Sequence, residues 1–223
     1  MKTASESPIG GELLSTSVKN FLLDRILRGY YKPGDRIVEF QLCKELGTSQ
    51  SPVREAVREL ASIGVVTIHS RRGARVRRPT TKELVDNNLV RSEIDALAAG
   101  LATPLLDEAT LVALRETCED MEHHQASDDY SQLTQADAHF HRLIVQASAN
   151  QALLQTFDRL EPFARTFITL TIPTVNVKSV VAEHRLILEA LEARDPSRAA
   201  MRARNHQLSV GELLNTHYDP GSE

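Results

Sequence analysis

Features that are scarce in this chain exclude several classes of protein. Its two cysteines, Cys43 and Cys118, are widely separated, so neither a disulfide framework nor a cysteine metal site is predicted. No apolar run approaches the roughly 20 residues that a membrane-spanning helix needs. The opening residues, MKTASESPIGGELL, lack the apolar core of a signal peptide. The sequence therefore predicts a cytoplasmic protein without a membrane partner.

The charges that are present are unevenly distributed. The 223 residues carry a net charge of −4, and this length allows one large domain or two small ones. Residues 1–78 contain 14 basic and 8 acidic residues, whereas residues 79–223 contain 12 basic and 22 acidic residues. A basic segment beside an acidic one is expected if DNA binding is confined to one domain, although chance segregation of surface charge would give the same split.

The first third of the chain follows the order helix, helix, turn, helix, hairpin. Residues 1–11 are small and polar, which predicts a flexible tail, and an apolar stripe that includes Leu14 predicts a helix over about 15–28. A short extended piece at 37–38 and a short helix over 39–46 follow. The next helix is predicted to begin with Ser51 as its cap and Pro52 in its first position, and to end at Gly64. β-Branched residues at 65–68 and a second strand at 74–77 predict a hairpin that turns at 70–73.

This order is that of a winged helix-turn-helix, which we assign to residues 12–78. The second helix of such a motif enters the major groove of DNA. Helical spacing places Ser51, Arg54 and Arg58 on one exposed face, where guanidinium groups suit guanine or phosphate. The hairpin tip adds Arg71, Arg72 and Gly73. The alternative for Arg54 and Arg58 is an ion pair with a neighbouring acid, for example Glu55 or Glu59.

The same stretch resembles the GntR family of bacterial regulators. The residues that carry the resemblance are Lys32-Pro33-Gly34, then 42–47, then the run Ser51-Pro52-Val53-Arg54-Glu55-Ala56-Val57. The family often has an arginine that contacts DNA directly after the serine that corresponds to Ser49, and Gln50 stands there instead. The resemblance implies that Ser49 and Gln50 belong to the DNA-binding set, and glutamine could read adenine.

Beyond residue 80 the sequence is helical, so the predicted fold is mainly α. Six helices are predicted, at about 81–102, 108–125, 129–148, 151–171, 177–193 and 196–216, in a domain that spans residues 80–218. Polar residues recur at positions where these helices should be apolar: Asp137, His141, His184 and His206. A divalent cation would satisfy one carboxylate and three buried imidazoles together, and this donor set suits Zn²⁺, with Ni²⁺ or Mn²⁺ also possible. Each histidine alone would more simply be a core or surface residue. His123, His124, His139 and His217 are out of phase, and we place them on the surface.

This region resembles the FCD ligand-binding domain of the FadR subfamily of GntR regulators. The resemblance rests on the segments Asp137–His141, Ser148-Ala149-Asn150, Glu183-His184-Arg185 and Arg204-Asn205-His206. It implies a bundle of six or seven helices with a metal at the centre, which holds a small carboxylate effector through open coordination positions. Arg91 matches an arginine on the family's first helix and would pair with that carboxylate; the alternative is a surface or domain-interface salt bridge.

Together these features predict a DNA-binding transcriptional regulator, a repressor, that is not an enzyme. We expect a homodimer on a near-palindromic DNA operator, with operator binding changed by the carboxylate effector. One alternative is a regulator that responds to the metal itself. Another is a metal-dependent hydrolase, in which an open coordination position would activate water. A third alternative gives the cluster a structural role alone.

Overall fold

The computed structural model describes residues 8–171 and 175–220, with side chains from residue 14 onward. The chain divides into two compact units, Met1–Arg78 and Pro79–Glu223, and each of these units has a hydrophobic core of its own. Within the described residues, no helix combines the length and apolar character that crossing a membrane requires.

The first unit is a winged helix-turn-helix. Its elements are α1 (Pro8–Leu27), β1 (Arg36–Ile37), α2 (Glu39–Leu46), α3 (Gln50–Ser62), β2 (Val66–His69) and β3 (Gly73–Val76). The strands form an antiparallel sheet in the order β1-β3-β2, with Ile37 opposite Ala74 and Val66 opposite Val76. α1 packs on α3. Residues such as Leu22, Ile26 and Leu60 bury the apolar sides of these helices in the core beneath the sheet.

Two helix starts in this unit differ from the sequence prediction. α1 begins at Pro8, inside the segment predicted to be a tail, and the tail's first seven residues lie outside the described part. α3 begins at Gln50 with Ser49 as its cap residue, so the assignment of Ser51 as the cap was wrong. The first four N–H groups of a helix have no acceptor within it, so Pro52 is tolerated in third position as readily as in first. Leu14, predicted in the buried stripe, is 43% exposed.

The second unit is a bundle of helices. Six are described: α4 (Thr81–Ala102), α5 (Glu108–Ala126), α6 (Tyr130–Ala147), α7 (Gln151–Thr171), α8 (Lys178–Glu192) and α9 (Pro196–His217). Their bounds agree with the predicted ones to within one residue at each end. Polar caps explain this agreement, because the side chains of Thr80, Asp107, Asp129 and Asp195 each accept a backbone N–H of the following helix.

Small residues let α9 lie close along α4. Ala99 and Ala102 of α4 and Ala199 and Ala203 of α9 are almost fully buried. A Cβ added to Gly100 would lie 3.7 Å from the Cβ of Ala200, so the two backbones approach closely. α9 also packs against α8, and α6 packs against α4. This arrangement brings the middle turns of α6, α8 and α9 together, with α4 beside them.

Candidate functional site

The four polar residues predicted to point inward meet in the second unit. Asp137 and His141 come from α6, His184 from α8 and His206 from α9, and one ligand atom of each lies within 4.8 Å of the others. The side chains of His141, His184 and His206 are 1–2% exposed, and that of Asp137 is 31% exposed. The closest pair of rings is His184 and His206, whose centroids are 4.2 Å apart.

Each histidine points inward because it occupies the apolar stripe of its helix. His184 is flanked on α8 by the buried residues Val181 and Ile187, and His206 lies between buried small and aliphatic positions of α9. Phe140, fully buried on α6, meets the rings of His141 and His184 edge-on at centroid distances of 5.6 and 5.1 Å. Phe140 therefore forms an apolar wall behind the rings of His141 and His184.

The Nδ1 atom of each histidine has an acceptor on the side away from the cluster. His206 Nδ1 donates to Glu183 Oε2 at 3.1 Å, and Glu183 also accepts from Ser209 Oγ at 2.9 Å. His184 Nδ1 donates to the backbone carbonyl of Val181 at 3.2 Å. His141 Nδ1 lies 3.5 Å from Asp95 Oδ2. These acceptors favour the tautomer with its proton on Nδ1, in which the lone pair of Nε2 faces the cluster.

The acceptor atoms that face the centre of the cluster lack hydrogen-bond donors. Among the described residues, Nε2 of His184 and Nε2 of His206 are buried without a hydrogen-bond partner. His184 Nε2 lies 3.1 Å from Asp137 Oδ1. A carboxylate and imidazole lone pairs that face one another at this distance repel unless a positive charge lies between them. The residues present therefore fit a bound divalent cation.

The directions of the pKa shifts in the cluster are those that favour a bound cation. Burial lowers the pKa of His141 and of His206, and the neighbouring His184 adds to this effect at both. Burial raises the pKa of Asp137, but the closeness of His184, His141 and His206 outweighs it and holds the pKa below its ordinary value. An ionised carboxylate and neutral imidazoles are the forms that bind a metal. This nitrogen-rich set suits Zn²⁺ or another first-row metal.

Arg91 is buried in the second unit. Its side chain is 4% exposed, and its Nη2 donates to Asp95 Oδ2 at 2.9 Å, one turn along α4. The guanidinium carbon lies 5.0 Å from the centroid of the Phe157 ring. Arg91 therefore forms a buried salt bridge within α4, and its contact with a carboxylate effector stays a prediction. Arg91 also lines a cavity of about 40 Å³ that reaches Asp137, His184 and His206.

Three polar neighbours of the cluster were not predicted from the sequence: Asp95, Glu183 and Gln207. Gln207 is buried, and its side-chain nitrogen lies 3.5 Å from His141 Nε2. The spacing of Asp95 from Arg91 could have indicated their ion pair. Glu183 and Gln207 are adjacent in sequence to His184 and His206 and carry no periodic signal of their own. The four histidines that were placed on the surface, His123, His124, His139 and His217, lie outside the cluster, and all except the half-buried His124 are exposed.

A second candidate site is the exposed face of α3 in the first unit. Ser49, Gln50, Ser51, Arg54 and Arg58 are exposed, while the opposite face of α3 is buried. Arg54 Nε donates to Glu39 Oε2 of α2 at 3.1 Å, so its acidic partner is neither Glu55 nor Glu59. This contact uses Nε and leaves the terminal nitrogens available for a base edge or phosphate.

The hairpin tip presents two further cations. Arg71 and Arg72 are exposed in the turn between β2 and β3. Arg71 has φ of 65° and Gly73 has φ of 79°, a backbone conformation that glycine adopts without strain. Within the described ranges, neither Arg71 nor Arg72 nor Arg58 of α3 forms an ion pair. These three guanidinium groups are therefore available to phosphates.

Comparison with known proteins gives a match for each unit. Residues 14–76 match the model of the bacterial regulatory proteins of the gntR family, and residues 88–209 match the FCD domain. The chain is 31% identical over 193 residues to the probable D-xylose utilization operon transcriptional repressor of Paenarthrobacter nicotinovorans, covering 86% of this chain and 85% of that one. It is 28% identical to the uncharacterized HTH-type transcriptional regulator YdhC of Bacillus subtilis (strain 168), covering 92% of both. The solved structure of E. coli McbR/YncC superposes with a TM-score of 0.82 at 24% identity, covering 92% of this chain and 99% of that one.

Proposed function

Since this chain belongs to the gntR family of bacterial regulatory proteins, carries an FCD domain and is a DNA-binding transcriptional regulator, we propose that it is a repressor that senses a small carboxylate at a metal centre. The observation that carries the sensing half is the convergence of three Nε2 lone pairs and the Asp137 carboxylate. The Nδ1 acceptors behind the three rings hold those lone pairs in place.

Asp137, His141, His184 and His206 would hold the metal, with Zn²⁺ as the first choice and Ni²⁺ or Mn²⁺ as others. When bound, a divalent cation supplies a positive charge that attracts an anionic group. With neutral imidazoles and one carboxylate as ligands, such a centre carries a net positive charge. The charge of Asp95 is offset by Arg91, so it does not cancel that attraction. A small carboxylate is therefore a suitable effector for the adjoining cavity.

For the DNA side, we assign contacts to Ser49, Gln50, Ser51, Arg54 and Arg58 of the α3 region and to Arg71, Arg72 and Gly73 of the hairpin. We propose a homodimer on a near-palindromic operator in the cytoplasm, with one α3 in each half-site. The repressor role follows from the likeness to the P. nicotinovorans protein, whose name describes a repressor. The effector changes operator affinity only if it binds the DNA-competent and DNA-incompetent states unequally.

Substituting Arg54 tests the DNA-binding half. We expect Arg54→Ala to lower affinity for the specific operator by at least about tenfold, since a guanidinium bound to a base edge contributes about 1–3 kcal/mol of discrimination. The measurement is a gel-shift titration against operator and unrelated DNA at fixed salt concentration.

Arg198→Ala is the matched control, because Arg198 is an exposed arginine on α9 of the second unit and its loss changes the net charge equally. Circular dichroism of both variants checks that they remain folded. Equal operator affinity for the Arg54 variant and the Arg198 variant would contradict the assignment of α3 to base recognition.

A further inference from the structure

One acidic side chain reaches the exposed face of α3. Glu39, in the first turn of α2, accepts a hydrogen bond from Arg54 Nε at 3.1 Å. The two residues are 15 positions apart in the chain, so the packing of α2 on α3 brings them together. Their side chains are 33% and 56% exposed. The pair therefore lies on the surface that we assign to DNA, where a bound operator would meet it.

A carboxylate on this surface has a cost for DNA binding. It offsets the charge of a cation beside the phosphates, which lowers affinity for DNA of any sequence. An exposed ion pair also contributes little to the stability of the fold. The alternative role of Glu39 is local, because Val38 gives α2 no side-chain cap and an acid in the first turn favours the positive end of the helix dipole. That role does not require Arg54, so the two explanations can be separated by experiment.

The contact at Nε restricts the guanidinium group of Arg54. A guanidinium is planar and carries five N–H donors in a fixed arrangement. With Nε bonded to Glu39, the two terminal nitrogens remain, and they can bind O6 and N7 of guanine in the major groove. Part of the conformational entropy that an exposed arginine loses on binding is then lost before DNA arrives. A guanidinium ordered in advance suits one base edge better than a series of phosphates.

Arg58, one turn further along α3, is in a different situation. It is exposed, and within the described ranges it forms no ion pair. Its guanidinium can turn toward a phosphate, and phosphate contacts carry no sequence information of their own. The exposed face of α3 therefore combines one arginine that is held by a carboxylate with one that is free to move.

We propose that Glu39 is a positioning residue for Arg54. It holds the guanidinium by Nε so that Nη1 and Nη2 meet a guanine edge of the operator, and it does not contact the base itself. Glu39 thereby lowers affinity for DNA in general but raises the ratio of operator affinity to unrelated-DNA affinity, which we call the specificity ratio. This inference rests on the proposed function, because it assumes that Arg54 contacts a base.

The test is Glu39→Gln, which keeps the size of the side chain and removes its charge. Selection of random-sequence DNA on the original full-length protein first supplies the operator, and gel-shift titrations then measure both affinities. We expect the specificity ratio to fall by at least about fivefold, because a neutral acceptor holds Nε less firmly. Affinity for unrelated DNA should rise by up to about fivefold at physiological salt, because the released Arg54 can neutralise one more phosphate.

The direction in which the two affinities move separates the positioning role from simpler ones. If both rise together and the specificity ratio stays unchanged, Glu39 only repels phosphates. If both fall together with an unchanged ratio, Glu39 only stabilises the start of α2. Either result would overturn the inference.

A double substitution tests whether Glu39 acts through Arg54. In the Arg54→Ala protein, Glu39→Gln should produce no further fall in the specificity ratio. A further fall would mean that Glu39 contacts a base directly, and the positioning role would be wrong. If Arg54→Ala lowers the ratio but Glu39→Gln does not, the inference fails while the proposed DNA contact survives. If Arg54→Ala keeps the full ratio, the proposed contact of Arg54 fails, and the inference fails with it.

Glu45→Gln is the matched control. Glu45 lies on the same helix, is exposed, and pairs with Arg25 of α1 rather than with an arginine of α3. The substitution changes the net charge equally and should leave the specificity ratio unchanged. Urea unfolding followed by circular dichroism checks that both variants are folded. An equal fall in the ratio for both glutamine variants would show a general effect of charge on α2 and would contradict the positioning of Arg54.

Discussion

The acceptor behind each imidazole decides which of its nitrogens faces the ligand cluster. A carboxylate serves His206, a backbone carbonyl serves His184, and Asp95 lies behind His141. The acceptors of His206 and His141 are carboxylates and that of His184 is a neutral carbonyl, so the three rings are not affected equally. A negative acceptor makes the opposite nitrogen a better electron donor, which strengthens its bond to a metal. Glu183 should therefore contribute to metal affinity without touching the metal.

Substitution of Glu183 tests this contribution. We expect Glu183→Gln, which keeps the shape and removes the charge, to lower zinc affinity by about tenfold, and Glu183→Ala to lower it by up to about a hundredfold. Competition with a chromophoric chelator measures the dissociation constants.

Glu189→Gln is the matched control for Glu183→Gln. Glu189 lies on the same helix, is exposed, and faces Arg198 at 3.7 Å. If both glutamine variants bind zinc as tightly as the original protein, Glu183 has no role in the centre.

The sequence was sufficient to identify the residues of the cluster but not their supporting neighbours. Asp137, His141, His184 and His206 interrupt otherwise apolar stripes, and the helical period makes such interruptions visible. Asp95 and Glu183 support the rings from positions that depend on how neighbouring helices pack, and no pattern within one helix encodes that packing. The partner of Arg54 was missed for the same reason, because Glu39 comes from a different helix.

At the scale of elements, the start of α4 is fixed by a capping box. Thr80 Oγ1 accepts from the backbone N–H of Glu83 at 3.2 Å, and Glu83 Oε2 accepts from the backbone N–H of Thr80 at 2.8 Å. Two of the helix's N-terminal donors are thereby satisfied by side chains. Because α4 carries Arg91 and Asp95, the cap stabilises the helix on which these neighbours of the ligand cluster lie.

Removing this cap should destabilise the second unit measurably. We expect Thr80→Ala to lower the free energy of unfolding by about 1 kcal/mol, since the Glu83 N–H loses its acceptor. Urea unfolding followed by circular dichroism gives the difference. Thr216→Ala, at an exposed position near the end of α9, controls for the loss of a threonine. Equal stability of the two variants would show that the cap contributes nothing.

Helix boundaries were predictable where the caps are polar and unambiguous. All six helices of the second unit begin and end within one residue of the prediction, because Asp, Thr, Asn or Pro marks most of their ends. The start of α3 was displaced by two residues, since Ser49 and Ser51 both qualify as caps and the proline fits either choice. Ser49 makes no side-chain capping bond in the structure. Local propensity therefore could not separate the two candidates.

At the scale of the whole molecule, two units with separate cores should respond separately to the metal. All four proposed ligands lie in the second unit. We expect chelation of the metal to lower the thermal midpoint of that unit by about 10 °C, because an ion held at 1,000 times its dissociation constant stabilises the folded state by about 4 kcal/mol. Differential scanning calorimetry before and after chelation, and after zinc is restored, measures the shift.

The transition of the winged helix-turn-helix unit is the internal control, and its midpoint should stay unchanged. Operator affinity measured on the same samples distinguishes the two kinds of regulator. If chelation alone abolishes operator binding, the protein responds to the metal itself rather than to a carboxylate. Identical calorimetric traces with and without chelator would contradict the presence of a metal in the second unit.

The unequal exposure of the four metal ligands bears on how fast a bound ion exchanges. The Asp137 side chain is 31% exposed, while those of the three histidines are 1–2% exposed. Asp137 is therefore the ligand that solvent reaches most readily, and we expect release from the three buried histidines to need a slow local opening of the helices that carry them. We expect the residence time of the ion to be long compared with that of a small acid in the adjoining cavity. The ion would then be acquired once, during folding, and remain for the lifetime of the molecule, while the acid exchanges as the cell's metabolism changes.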